Sequence, residues 1–146
     1  MSAEYFLDTN ILVYSFDDRA PSKRDIAQTL IARALRLGCG VVSWQVVQEF
    51  LNVARHKWEE PMTTGDANEF LSGTLEPLCS VFPSANLWRS ALSLQAHSQY
   101  RFYDSLIVAA ARQSGAKILY SEDLQAGRHF GDLEIQNPFN DVAAAR

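Results

Sequence analysis

The sequence is poor in cysteine, and the two it has are unpatterned. Cys39 and Cys79 lie far apart and form no CxxC, which argues against a disulfide framework. Both are expected to be reduced structural thiols in a cytosolic protein. The three histidines, His56, His97 and His129, show no metal-ligand spacing, and neither HExxH nor a Cys/His cluster is present. A long hydrophobic run is also missing. The longest strongly apolar stretch is "LIVAAA", residues 106–111, far too short to span a bilayer. No basic segment followed by a long apolar one opens the chain, so no secretory signal is expected. Internal repeats, low-complexity tracts and Pro/Gly/Ser-rich linkers are absent. Residues 1–140 are therefore expected to form a single domain, with the closing "DVAAAR", 141–146, a frayed tail. Excess positive charge is lacking too. A net charge of −4 gives no bulk attraction to nucleic acid, although carboxylates gathered around a cation would contribute to that figure.

What is present is an ordinary soluble composition, nearly half hydrophobic and about a fifth charged, in 146 residues. That length can bury a core unaided. The stretch "YFLDTNILVY", residues 5–14, reads as a buried strand with Asp8, Thr9 and Asn10 in its middle. A bare carboxylate in apolar surroundings is costly unless paired, hydrogen-bonded or metal-bound. Beyond it the pattern alternates. Pro21 and Ser22 start a helix in which Ile26, Leu30, Ala34 and Leu37 recur at helical spacing, and Gly38 and Gly40 end it. "VVSW", 41–44, reads as a short strand, and 45–57 as a helix with Val46, Val47, Phe50, Leu51 and Ala54 on one face. A helix over 64–75, an extended segment over 77–83 and a helix over 84–99 follow. Next come an apolar helix over 103–114, a strand over 117–121 and a last strand over 133–136. Strands alternating with helices predict an α/β chain with a parallel sheet covered on both faces. Sites in such sheets lie at the carboxyl ends of the strands.

Four acids fall at those ends or at the helix starts after them. Asp8 follows the first strand and Glu49 lies early in the helix after "VVSW". Asp104 opens the apolar helix, and Asp123, preceded by Glu122, follows "KILYS". Singly, each has an ordinary reading. Asp8 with Asn10 could end a strand in an Asx turn, and Asp104 could cap its helix. Asp123 could be a turn residue, and Glu49 could partner a helix dipole. An acid dyad without metal is a further alternative. Together, four carboxylates at about 4 Å would repel by roughly 4 kcal/mol per pair at an effective dielectric of about 20. Hard divalent cations with oxygen ligands would relieve this, and two of them about 4 Å apart suit phosphodiester hydrolysis.

"FLDTNILVY", "SWQVVQEFLNV", "YDSLIVAAARQSGAKILYSEDLQAG" and "IQNPF" resemble a PIN domain, and more narrowly the VapC-type toxins of bacterial toxin–antitoxin pairs. The resemblance covers about residues 5–139. It implies a three-layer α/β/α sandwich around a mainly parallel sheet of four or five short strands. It also implies a Mg²⁺-dependent (or Mn²⁺-dependent) endoribonuclease that leaves 5′-phosphate and 3′-hydroxyl ends. On that likeness Asp8 and Asp104 ligate metal directly, Glu49 is the second acid, and Asp123 is the fourth, reaching metal through water. Glu122 is the alternative to Asp123. Asn10 and Ser121 hold the acids by hydrogen bonds, and Thr9 supports them. The resemblance further implies an RNA substrate, a cognate antitoxin, a homodimer and a cytoplasmic setting, with no membrane and no nucleotide cofactor.

Other readings remain beside this one. A metal-dependent phosphatase with an aspartyl nucleophile usually wants a second Asp two residues on, where this chain has Asn10. A non-catalytic RNA- or protein-binding domain would gain nothing from four intact acids. Arg128, five residues after Asp123, is a candidate RNA contact, with Arg19, Lys23 and Arg24 weaker ones. "ARHKW", 54–58, is the densest basic patch and reads either as a phosphate contact or as a solvated helix end. Tyr14, Phe16 and Trp58 could stack bases, whereas Trp44 is expected in the core.

Overall fold

Strand β1 (Tyr5–Leu7) is three buried apolar residues and stops one position short of Asp8. Asp8 is extended and its carboxylate accepts from the Thr9 amide at 2.7 Å, so it caps helix α1 (Thr9–Tyr14). The ten-residue apolar stretch is thus a strand and a helix in succession. Both carry buried apolar residues, Tyr5–Leu7 in the strand and Ile11 and Leu12 in the helix, so apolar content alone does not separate them. The computed structural model describes residues 3–140; the expected frayed tail, 141–146, lies outside the described residues.

Helix α2 (Pro21–Leu37) begins on its proline and ends at Gly38, whose φ of 65° needs no Cβ penalty. Its buried face is Ala27, Ile31 and Ala34; Leu37, expected among the core positions, is exposed. Strand β2 (Gly40–Ser43) follows, and Ser43 caps helix α3 (Trp44–His56). Gly40 has a packing reason: a Cβ there would sit 2.5 Å from the Ala34 Cβ and 2.6 Å from the Tyr5 ring. In α3, Val46, Phe50 and Ala54 enter the core. Trp44 does not. It is the first helical residue, turned away from that face, 46% exposed and against Phe82 with centroids 5.8 Å apart.

Helix α4 (Thr64–Phe70) runs into a π-helical turn (Leu71–Leu75) and then a single α-turn, α5 (Glu76–Leu78). The extended segment expected from residue 77 therefore begins only at β3 (Cys79–Val81). Ser84 caps α6 (Ala85–Ala96), which packs against α7 (Phe102–Gln113). Strands β4 (Ile118–Tyr120), β5 (His129–Phe130) and β6 (Leu133–Gln136) follow.

Among the described residues the sheet has six strands in the order β3-β2-β1-β4-β6-β5, one more than the upper expectation. The addition is β5, two residues long and antiparallel to β6; the other pairings are parallel. Helices cover both faces of the sheet as a three-layer sandwich. Order reverses between β1 and β4, since the chain builds outward through β2 and β3 before returning to β1's other side. A crevice opens at the carboxyl ends on either side of such a reversal. Asp8 and Ser121 leave the sheet there, tied by the Asp8 amide to the Tyr120 carbonyl at 3.0 Å.

Helix α7 is buried at every position from Ser105 to Ala111. Within it the Ser105 hydroxyl is buried without a hydrogen-bond partner among the described residues. Ser105→Ala removes that unpaired group and improves helix propensity, so the urea midpoint is expected to rise by the equivalent of about 0.5–1 kcal/mol. A fall in the midpoint would show that the hydroxyl is satisfied in solution.

Candidate active site

Asp8, Glu49, Asp104 and Asp123 all line one open cleft, together with Thr9, Asn10 and Glu122. Each arrives by a different route. Asp8 caps α1, Glu49 stands in the second turn of α3, Asp104 in the first turn of α7, and Asp123 in the loop after β4.

Asp8 is the most buried of the four, at 8% exposure. Its Oδ1 accepts from the Thr9 amide and its Oδ2 accepts from the Ser121 hydroxyl at 2.8 Å. Burial raises its pKa from the usual carboxylate value to about 6; Glu49 and Asp123 add to the rise, while the Ser121 and Thr9 hydrogen bonds oppose it. Asp104 is half-buried, and its pKa is likewise raised, first by desolvation and then by Glu49 and Asp123, against the opposing charge of Arg101. The carboxylates therefore sense one another across the cleft.

Polar neighbours fix their directions. The Glu49 Oε2 accepts from the Thr9 hydroxyl at 2.9 Å and its Oε1 from the Gln45 amide at 2.6 Å. Asn10 is a hub: its Nδ2 donates to Asp123 Oδ2 at 3.2 Å and to the Ser121 hydroxyl at 3.4 Å, and its Oδ1 accepts from the Glu122 amide at 3.1 Å. Glu122 and Asp123 are adjacent yet differently employed. Glu122 accepts from Tyr14 at 2.6 Å and pairs with Lys23 at 2.8 Å, which lower its pKa against the opposing cost of burial. Asp123 is exposed and faces the other acids.

Among the described residues, none of Asp8, Glu49, Asp104 and Asp123 forms an ion pair with a Lys, Arg or His. Nor do any three His, Cys, Asp or Glu side chains among them make a ready-built metal cage. The donors are all oxygen, the most buried acid is charged at neutral pH only against resistance, and the cleft is open. This set fits a hard divalent cation that keeps most of its waters and takes one or two carboxylates. It does not fit a zinc-type site of nitrogen and sulfur.

The structure distributes the remaining sequence candidates elsewhere. Arg128 lies outside the cleft lining, with its guanidinium 5.0 Å from the Tyr100 ring and 4.8 Å from the Phe130 ring. Lys23 and Tyr14 are committed to Glu122, Arg19 to Asp17, and Arg24 to Asp18 and Asp25. Phe16 and Trp58 sit in an aromatic cluster with Phe50 and Phe70. Gln45 was not expected at the site. Its one signal in the sequence is that it precedes Glu49 by four positions, one helical turn.

A model of the PIN domain matches residues 5–129. Solved structures share the fold at low identity. One is a toxin–antitoxin complex from Klebsiella pneumoniae, with a TM-score of 0.65 and 17% identity over 92% of this chain and 97% of that one. Another is VapBC2 from Rickettsia felis bound to a DNA fragment from their promoter, with a TM-score of 0.63 and 19% identity over 91% and 97%. A third is VapC20 from Mycobacterium tuberculosis, a toxin that cleaves the sarcin–ricin loop, with a TM-score of 0.54 and 19% identity over 82% and 89%. No curated protein sequence matches the chain.

Proposed function

Because the chain belongs to the PIN domain family, we propose that it is the toxin of a toxin–antitoxin pair and a Mg²⁺- or Mn²⁺-dependent endoribonuclease. It would hydrolyse RNA to 5′-phosphate and 3′-hydroxyl ends. The observation that carries this reading is the cleft itself, with four carboxylates from four elements and, among the described residues, no protein cation paired to any of them. Its likeness to a structure described as a toxin–antitoxin complex supports the setting.

Asp8 and Asp104 would hold the divalent cation, with Glu49 and Asp123 completing its surroundings. Such a cation supplies an acidified water and charge relief for a phosphate oxygen. The chain's own part is positional. Glu49, fixed by Thr9 and Gln45 at its two oxygens, is directed to accept a hydrogen bond from the attacking water. Asn10 and Ser121 fix Asp8 and Asp123, so little reorganisation is needed when RNA binds. The position two residues after Asp8 is Asn10, not a second Asp, and its amide is engaged by these neighbours, which disfavours an aspartyl-phosphate mechanism. No covalent nucleophile is required.

The cognate antitoxin would restrain the enzyme by placing a cationic side chain among the acids. Trp44, Phe82, Trp88 and Tyr103 are exposed near one another beside the cleft. An aromatic surface of this kind suits a protein interface, so we assign it to partner binding in a homodimeric toxin. No helix among the described residues is long and apolar enough to cross a membrane; the proposed place of action is the cytoplasm.

The test is incubation of the antitoxin-free protein with total cellular RNA in Mg²⁺, in Mn²⁺ and in EDTA, beside Asp104→Asn, with mapping of 5′ ends. Discrete cuts bearing 5′-phosphates, lost in EDTA and in the variant, are expected. No cuts under any condition, together with no heat of Mn²⁺ binding in calorimetry, would overturn the assignment.

A further inference from the structure

We propose that Lys57 binds a phosphate of the RNA strand neighbouring the one that is cut. The inference rests on the nuclease reading of the acidic cleft and adds a substrate contact to it.

Helix α3 presents two stripes. Val46, Phe50 and Ala54 go to the core. Gln45, Glu49, Asn52, Val53 and Lys57 line the cleft, at the i, i+4, i+7, i+8, i+12 spacing of a single helix face. Lys57 lies eight positions after Glu49, which is roughly 12 Å along the axis at about 1.5 Å per residue. That is beyond direct contact with the acids but within the reach of a strand crossing them. Among the described residues, Lys57 is the one Lys or Arg that lines the cleft. Although carboxylates share the cleft with it, its ammonium makes no ion pair with any of them among the described residues.

Apart from Arg101, an exposed residue whose charge already acts on Asp104, the other basic residues nearby are already used. Lys23 is held by Glu122 and Arg24 by Asp18 and Asp25, while Arg128 lies over Tyr100 and Phe130. Within "ARHKW", Arg55 donates to the Met62 carbonyl at 2.7 Å and so holds the loop after the helix. The backbone at Lys57 is fixed on both sides. Its amide donates to the Val53 carbonyl at 2.9 Å, and the next residue, Trp58, is locked against Phe16 and Phe50. A cation with a rigid base and a free head, placed at the rim of an anionic cleft, offsets the repulsion that an RNA strand meets on entering.

The probe is a fluorescein-labelled single-stranded oligoribonucleotide of mixed sequence. Anisotropy is followed across a KCl series in Mg²⁺, in an Asp104→Asn background that prevents cutting. Lys57→Ala is expected to weaken binding about fivefold near 0.1 M salt and to flatten the slope of log affinity against log salt by about 0.7. Lys57→Arg should keep the slope, and Arg36→Ala, exposed and on α2, should leave it unchanged. The thermal midpoint of Lys57→Ala should match its parent, which separates lost contact from lost folding. Equal slopes for Lys57→Ala and parent would overturn the contact and leave the nuclease reading intact. Absence of salt-dependent binding by every variant, the Asp104→Asn parent included, would overturn both.

Discussion

In EDTA at pH 7, Asp8→Asn is expected to unfold about 2 to 8 °C above the parent protein, while losing roughly two to three orders of magnitude of RNA cleavage in Mg²⁺. The two effects have one cause. The Asp8 carboxyl is held at a pKa of about 6, raised above the ordinary value near 3.8 chiefly by burial. An acid whose pKa is raised by folding stabilises the protein least when ionised. Its contribution is fully present below about pH 3.8 and is lost as pH climbs through 6, a difference of roughly 3 kcal/mol. Asparagine keeps the shape and the acceptor for the Thr9 amide but carries no charge. It loses some of the Ser121 and Asn10 geometry, so the net gain should be nearer 1–2 kcal/mol. Two controls fix the interpretation. The gap between variant and parent should close towards pH 4, where the parent carboxyl is protonated. It should reverse in saturating Mn²⁺, which stabilises only a protein that binds it. A variant less stable than its parent in EDTA at pH 7 would show that the buried charge is not the dominant cost.

Phe50→Ala is expected to cost about 3–5 kcal/mol, seen as a large drop in the urea midpoint. Phe50 is fully buried, and its ring centroid lies 4.9 Å from Phe70, 5.8 Å from Phe16 and 6.0 Å from Trp58. It is the member of that cluster that belongs to α3, the helix carrying Glu49 and Lys57. Phe50→Leu keeps much of the volume and should cost under about 1.5 kcal/mol. Because Glu49 is tied to Thr9 and Gln45 by its own hydrogen bonds, the folded fraction of Phe50→Leu should retain cleavage. A loss below about 1 kcal/mol for Phe50→Ala would mean that the cluster relaxes around the void and does not anchor the helix.

The layout of the fold was legible because its signals are local. Pro21 and Gly38 bound α2, Ser84 opens α6, and the apolar run of α7 marks a helix buried all round from Ser105 to Ala111. The acids were legible because a parallel sheet sends strand ends to one edge, so that four distant residues could be placed together without coordinates. What escaped the sequence depends on neighbours across the chain. Whether "YFLDTNILVY" stays extended past Asp8 turns on one hydrogen bond from the Thr9 amide. Whether Glu122 or Asp123 faces the acids is decided by Lys23 and Tyr14, about a hundred residues earlier in the chain. Trp44 has the composition of a core residue and the position of a surface one. Strand β5 is two residues long and lacks any alternation to read.

The shortness of the outer strands reaches beyond the site. The sheet ends on one side in β3, three residues followed by Phe82 and Pro83, and on the other in β5, two residues that already turn back on β6. Unpaired strand edges are where foreign chains add themselves by backbone hydrogen bonds. Here each flank offers only two or three residues of ladder, too little to seat an extended segment in register. Recognition of this protein by a partner is then expected to run through side chains, on helix faces and at the rim of the cleft. Its selectivity would then lie in charge and shape, and the same brevity guards the folded chain against edge-to-edge aggregation.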